Sequence, residues 1–474
     1  MSLSGKSSLS SALNLSEEKQ RVPDDASASH RMDSPYREEG LDVQPAGPGA
    51  RPRDVEAGDE KSPVLPEASA VAASAPDGGF DAWMVVAGGW ACLFCSFGWI
   101  NCIGVFQNYY QHHQLKHLSP STVSWIPSLE VFMMFIGGPI IGKCYDSFGP
   151  RHILLVGSLL HVFGLMMTSI SSRYYQFLLA QGVCSAIGAS AIFYSAMSSV
   201  STWFYRHRAL SFGVMASGSS LGGVIFPIMV QQLIPEVGFG WSMRITAFLI
   251  LALLIFANFT VKSRLAPNPS PLVLMEFITP LREYPFFFTS CGALLFAFGI
   301  FLPINYVIVH GIHIGMSVRL SGYLIPILNA ASIFGRIIPG WIGDRIGRFN
   351  AMIVMAAFSG IIVLALWLPA SGSIPIIVFS ALFGFGSGAY VSLAPALIAQ
   401  ISDIRKIGVR TGTIFAIVSI GSLCGSPIGG ALISADHGGF KGLQIFAGVT
   451  MLVGAVFFFI ARASLVGVTT ITKV

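Results

Sequence analysis

From Trp83 onward the chain alternates apolar runs with short polar breaks. Each run is about 20 residues long, enough to cross a bilayer core as a helix. Lipid offers no partners for backbone N–H and C=O groups, so spans of this kind must be helical. The pattern predicts spans at 83–107, 122–142, 152–171, 175–199, 208–233, 243–262, 285–309, 319–341, 350–369, 374–400, 411–434 and 442–463. That is an all-α membrane protein with twelve transmembrane helices. The longest internal polar break divides them into two six-helix halves.

The boundaries follow. Residues 1–75 are rich in Ser, Pro, Ala, Asp and Glu and lack periodic apolar positions. They read as a disordered N-terminal tail, with no apolar stretch resembling a secretory signal after Met1. Residues 76–262 form the first half, 263–284 a linker, and 285–474 the second half with a short C-terminal extension.

A short polar element occurs in both halves. Gly142, Asp146 and Gly149 are followed by Arg151; Gly340, Asp344 and Gly347 are followed by Arg348. Both read G-x-x-x-D-x-x-G. The Asp residues stand 198 positions apart (344 − 146). A charged turn repeated at that interval indicates a duplicated bundle. Its recurrence reads as a conformational latch between helices rather than a static turn.

Composition agrees. The chain is 53% hydrophobic and 11% charged, against about 25% charged in soluble domains. The tail holds 8 basic and 13 acidic residues, so the remainder holds 20 of the 28 basic and 10 of the 23 acidic ones. The positive excess therefore belongs to the membrane domain and calls for no nucleic-acid partner. One set of loops carries Lys143, Arg151, Arg206, Arg208, Lys262, Arg264, Arg282, Arg345, Arg348, Arg405, Lys406 and Arg410. The opposite set carries Lys116, Arg173, Arg244, Arg319 and Lys441. The richer set is expected in the cytosol, and an even span count then places both termini there.

Two further stretches carry a resemblance. Asp77-Gly78-Gly79-Phe80 with Trp83 resembles the D-G-G-aromatic motif at the first span of the monocarboxylate porter family. The stretch containing Arg206, Arg208 and Gly213 resembles that family's fifth-span motif. The repeated turn resembles the loop signature of the major facilitator superfamily, and 384–412 resembles the fungal branch. The resemblance covers about 76–463. It implies the major facilitator fold and transport of small carboxylates or, in fungi, riboflavin. Some fungal relatives are taken to export secondary metabolites. Animal lactate–proton members carry a Lys where this chain has Asn101 and an Asp where it has Ser332, while Arg336 matches the family's span-eight arginine. The departures put the lactate-type coupling scheme in question.

Intramembrane charges are costly and mark functional candidates. Arg336 is the expected holder of an anionic substrate group, by bidentate pairing. Glu130 is the one acidic residue well inside a predicted span and the candidate proton carrier; a fixed polar contact is the structural alternative. Asn101, Asn305, Tyr306, Asn329 and Tyr390, with Gln107, Asn108 and Tyr194, are candidate path-lining residues. His161 reads as a packing residue.

The seven cysteines show no metal-ligand spacing, and neither metal nor cofactor is expected. No G-x-x-x-x-G-K-[ST], H-E-x-x-H or G-x-S-x-G occurs, so neither ATP drive nor an enzyme is indicated. The expected function is alternating-access transport of small organic anions, with proton coupling a further expectation. Export of a fungal metabolite and riboflavin-type uptake are the alternatives within transport; a membrane sensor or scaffold is the alternative outside it. The expected partners are a small-molecule substrate, protons and the bilayer. The expected location is the plasma membrane, with the vacuolar membrane as alternative.

Overall fold

The computed structural model describes residues 74–468, so the expected tail lies outside the described residues except at its last two positions. Eleven described helices are long and apolar enough to cross a membrane. One of them, Arg208–Thr260, has 53 residues, roughly 80 Å at about 1.5 Å per residue. A bilayer core is only about 30 Å thick. The backbone leaves helical geometry at Gly238 (φ 76°, ψ 165°), where a left-handed φ suits a residue without Cβ. This helix therefore makes two crossings, α5 (208–237) and α6 (239–260), and the bundle has twelve.

The others are α1 (Phe80–His112), α2 (Thr122–Phe148), α3 (Pro150–Ile170), α4 (Tyr174–Trp203), α7 (Tyr284–His313), α8 (Val318–Ile346), α9 (Arg348–Trp367), α10 (Ser373–Gln400), α11 (Ile404–Ala435) and α12 (Lys441–Val466). Ordinary end signals set the bounds. Ser119 Oγ accepts the Thr122 N–H at the start of α2 (3.2 Å), and Ser317 Oγ accepts that of Leu320 at the start of α8 (3.2 Å). Pro150 opens α3, where a missing N–H costs nothing.

The repeated element is not the loop that its polarity suggests. Gly142–Asp146 and Gly340–Asp344 continue α2 and α8 as helix. Only Gly149 (φ 76°) and Gly347 (φ 105°) break the chain. The helix persists because Asp146 and Asp344 find partners on neighbouring helices and need no loop to reach water.

Several helices are irregular inside: α2 is interrupted at Gly137 and α8 at Gly322–Tyr323. α1 is interrupted at Ser96 and again at Asn101–Cys102. α4 contains a π-helical segment, Leu178–Ser185, and α9 another, Val363–Trp367. Such segments often sit where side chains have a task.

The halves meet along two seams, α2 against α11 and α5 against α8. Both seams are set by glycine. A Cβ on Gly142 would run into the Gly408 carbonyl, and one on Gly412 into that of Gly138. A Cβ on Gly213 would run into the Arg336 carbonyl, and one on Gly340 into that of Ala209. Small residues let helix backbones touch where apolar burial gives no drive, since lipid is as apolar as the side chains.

Candidate functional site

Between the halves lies a cavity of about 60 Å³. Aromatic rings form much of its wall: Phe97, Phe135 and Phe193 from the first half, Phe301, Tyr390 and Phe415 from the second. The Phe135 and Phe415 rings stack across the halves with centroids 5.6 Å apart. The polar wall is Asn101, Asn329, Ser332, Arg336 and Ser387. Asn329 donates to the Asn101 side-chain oxygen (3.4 Å), joining α8 to the interrupted part of α1. Ser332 and Ser220 share a hydrogen bond of 2.6 Å.

Arg336 is 4% exposed. Its guanidinium donates to the Ala216 carbonyl and the Ser219 hydroxyl of α5. Its Nε is buried without a hydrogen-bond partner. It pairs with neither Glu130 nor Asp344. A cation held by neutral oxygens, with a donor to spare, can receive an anion.

Of the six expected substrate residues, Arg336, Asn101, Asn329 and Tyr390 line this cavity. Asn305 and Tyr306 do not. They bind α11 at Ser426, Asn305 to its hydroxyl (2.7 Å) and Tyr306 to its carbonyl (2.8 Å). Gln107 and Tyr194 are also outside the lining; Tyr194 donates to the Phe135 carbonyl (2.9 Å). The side chain of Asn108 lies outside the described residues. The phenylalanines carried no sequence signal, because Phe in an apolar helix looks the same facing lipid, core or path.

Glu130 lies away from the cavity, inside the first half, and is 2% exposed. It accepts from the Gln181 amide (2.8 Å), whose oxygen accepts from the Tyr110 hydroxyl (2.8 Å). No cation pairs with Glu130 among the described residues. Gln181 belongs to the π segment of α4, and so does Ser185. Ser185 meets His161, whose Nδ1 lies 2.9 Å from its hydroxyl and whose Nε2 lies 3.1 Å from the Cys95 carbonyl. One irregular stretch thus holds both Glu130 and His161. His161 is therefore a hydrogen-bonded residue as well as a packed one.

The duplicated Asp residues reach across the seams. Asp146 of α2 accepts the N–H groups of Gly408 and Val409 at the start of α11 (both 2.9 Å). Asp344 of α8 accepts those of Ala209 (3.1 Å) and Leu210 (2.8 Å) at the start of α5. A helix start offers free N–H groups and a positive dipole end, so a carboxylate suits it. Arg348 supports Asp344 at 3.0 Å. Arg151, expected to serve Asp146 likewise, is exposed and is not among its hydrogen-bond partners.

The two stretches that carry the family resemblance touch each other. Asp77, with φ 55°, accepts the N–H groups of Tyr205 (2.6 Å), Arg206 (2.7 Å) and His207 (3.3 Å). Trp83 packs edge-on against Phe204. Gly78 and Gly79 have open space around them, so the motif glycines serve the turn rather than a contact. Buried Arg208 donates to the Phe204 carbonyl (2.9 Å) and, across the halves, to that of Ala399 (3.0 Å).

Twelve membrane-crossing helices in two halves around a small aromatic and polar cavity define a multi-pass membrane transporter. Residues 89–378 match the model of the Major Facilitator Superfamily, and the chain belongs to that superfamily. It is 54% identical over 399 residues to "MFS-type transporter 1" of Ophiocordyceps sp. (strain BCC 1869), covering 84% of this chain and 89% of that one. It is 47% identical over 381 residues to the "Fujikurins efflux protein" of Gibberella fujikuroi, covering 80% and 82%. Its fold is similar to that of the E. coli fucose:proton symporter, with TM-score 0.61, 15% identity and coverage of 79% and 98%.

Proposed function

We propose that this transporter is an exporter of an amphipathic, aromatic-bearing organic compound of the secondary-metabolite kind, working by alternating access. The observation that carries the reading is the cavity wall: six aromatic rings, two amides and one arginine. Rings bury apolar area with little loss of side-chain freedom, while the arginine suits an acidic or enolic group. The name of the Gibberella fujikuroi relative supports the direction. A volume of about 60 Å³ is well below the ~300–1,000 Å³ usual for ligand pockets, so the cavity must widen to load.

The rest of the mechanism follows from that cycle. Asp146 and Asp344 hold the duplicated-turn face shut and release when the halves rock. Positive loop charge supports a cytosolic position for this face, and hence for both ends of the bundle. Glu130 is the proposed proton carrier. We assign 76–262 and 285–474 as the moving halves, joined by 263–284, in the plasma membrane or alternatively the vacuolar one. The Asp77 contact, which joins the two resembling motifs, supports a place beside the monocarboxylate porter family. A small carboxylate is the second reading, favoured by Arg336.

Flux assays in proteoliposomes separate these readings. A panel of naphthyl and biphenyl carboxylates is compared with lactate and riboflavin. Aromatic compounds that move, with loss in Phe415→Ala, support the export reading. Lactate or riboflavin moving while every naphthyl and biphenyl carboxylate is ignored would sink it.

A further inference from the structure

The two seams are built alike but covered unequally. At the α2–α11 seam the linker lies over the helix ends. Lys143 donates to the Ser270 hydroxyl (2.9 Å) and pairs with Glu276. The Asn268 N–H bonds to the Asp146 carbonyl (3.3 Å), and Arg410 forks onto Glu283. Both linker carboxylates are thereby spent on the two cations beneath them.

The α5–α8 seam has no such cover among the described residues. It opens instead into a recess of about 880 Å³. Arg206, His207 and Arg208 line it from the first half, and Arg345 and Arg348 from the second. Its two carboxylates are engaged: Asp344 holds α5 and Arg348, and Asp403 accepts the Arg405 N–H (2.9 Å). Arg206 and His207 are exposed. Arg345 lies over the Trp341 ring, 3.6 Å from its centroid, and Trp341, which also lines the recess, is 44% exposed. An arginine–tryptophan pair at a helix end is typical of the headgroup layer. The recess therefore carries an uncompensated positive charge beside a residue pair suited to the headgroup layer.

We propose that this recess binds the phosphate group of an anionic lipid headgroup, held between Arg206 of one half and Arg345 of the other. Planar guanidinium groups match phosphate oxygens two at a time. The cytosolic leaflet, where the proposed orientation places this face, is rich in anionic lipid. A bound headgroup would fill the place that the linker fills on the opposite seam, and add a third tie across the closed face. A soluble phosphate ester offers the same chemistry. The binding rests on the recess alone; only its leaflet and its effect on the cycle rest on the function proposed above.

The test uses the full-length protein. Native mass spectrometry counts retained lipid after exchange from nanodiscs of phosphatidylcholine, with and without phosphatidylinositol 4-phosphate. In parallel, thermal midpoints in detergent are read with inorganic phosphate and inositol hexakisphosphate. Arg206→Gln and Arg345→Gln are compared with Arg151→Gln, an exposed cation on the same face but outside the recess. Retention of the anionic lipid that falls about fivefold in each recess variant, the weight of one basic residue near an anionic surface, and is unchanged in Arg151→Gln establishes a lipid site. Stabilisation by the soluble phosphates without lipid retention, lost in the same two variants, establishes the site with a soluble ligand. Equal behaviour of all three variants, or no response to any phosphate, overturns the proposal.

Discussion

Arg336 of α8 stands where Gly138 stands in α2, each eight residues before the duplicated Asp (344 − 336 and 146 − 138). Gly138 lets α2 rest on α11, for a Cβ there would collide with Tyr194 and Gly412. On the other seam, α8 rests on α5 through Gly340 and Gly213 instead. That leaves the corresponding position free to carry a guanidinium to the cavity. The duplication is broken here by a charge, and the asymmetry falls on the proposed substrate path.

If that cation recognises an acidic group, Arg336→Gln should discriminate between substrates. A charge-assisted hydrogen bond contributes about 1.5–3 kcal/mol, so affinity for an anionic compound should fall about 10–150-fold. A neutral compound of the same shape should be transported as before. Concentration dependence of flux for a carboxylate and its methyl ester decides the matter. Equal losses for both would make Arg336 a structural residue tying α8 to α5.

Asp146→Asn and Asp344→Asn should each weaken closure of the face that carries the duplicated element. The substitutions keep shape but remove the charge opposite a helix start. Taking about 2 kcal/mol for a charge-assisted contact, each should shift the closed-to-open ratio about 30-fold. The double substitution should shift it further. Spin labels on the two halves at this face, read by pulsed distance measurements, should show a growing population of long distances. Unchanged distributions in the double variant would reduce both residues to static helix caps.

Much of this architecture is legible in the sequence, because apolar run length reports directly on a bilayer. The duplicated element was also legible, as were Arg336, Asn101, Asn329 and Tyr390 at the cavity. The partners were not. Asp146 and Asp344 bind backbone N–H groups of distant helices, and backbone donors have no letter in a sequence. Asn305 and Tyr306 looked no different from Asn329, since a polar residue in a span does not disclose which side of its helix meets the path. The division between 233 and 243 was legible, but not that helix continues up to and beyond Gly238, where one changed φ makes the break.

Glu130 and Gln181 should behave as a pair. Gln181→Leu removes the amide from a buried carboxyl group, and an orphaned buried polar group costs about 1–3 kcal/mol. The thermal midpoint should fall, and Glu130→Leu added to it should recover part of the loss, as coupled neighbours do. Under the proton-carrier reading, Glu130→Gln should keep the fold and abolish dependence of flux on an imposed pH gradient. Additive thermal effects would separate the two residues. An intact pH-gradient response in Glu130→Gln would end the carrier role.

Asp77 tests whether the two resembling motifs form one device. Its carboxylate accepts three successive N–H groups before α5, and its own φ of 55° is a conformation that Asn tolerates and Ala does not. Asp77→Ala should therefore lose both the acceptor and the backbone preference, while Asp77→Asn keeps the backbone preference and a neutral acceptor. Hydrogen exchange at Tyr205, Arg206 and His207 should accelerate strongly in Asp77→Ala and weakly in Asp77→Asn. A capping loss of about 1 kcal/mol corresponds to roughly fivefold in local opening. The loop also carries Arg206 and leads into Arg208, which reaches across to Ala399. Loosening it should therefore reduce closure of the same face that Asp344 holds. Exchange rates identical to the unsubstituted protein would show that the turn at 77–79 and the start of α5 are held by other contacts, and that the two motifs are independent.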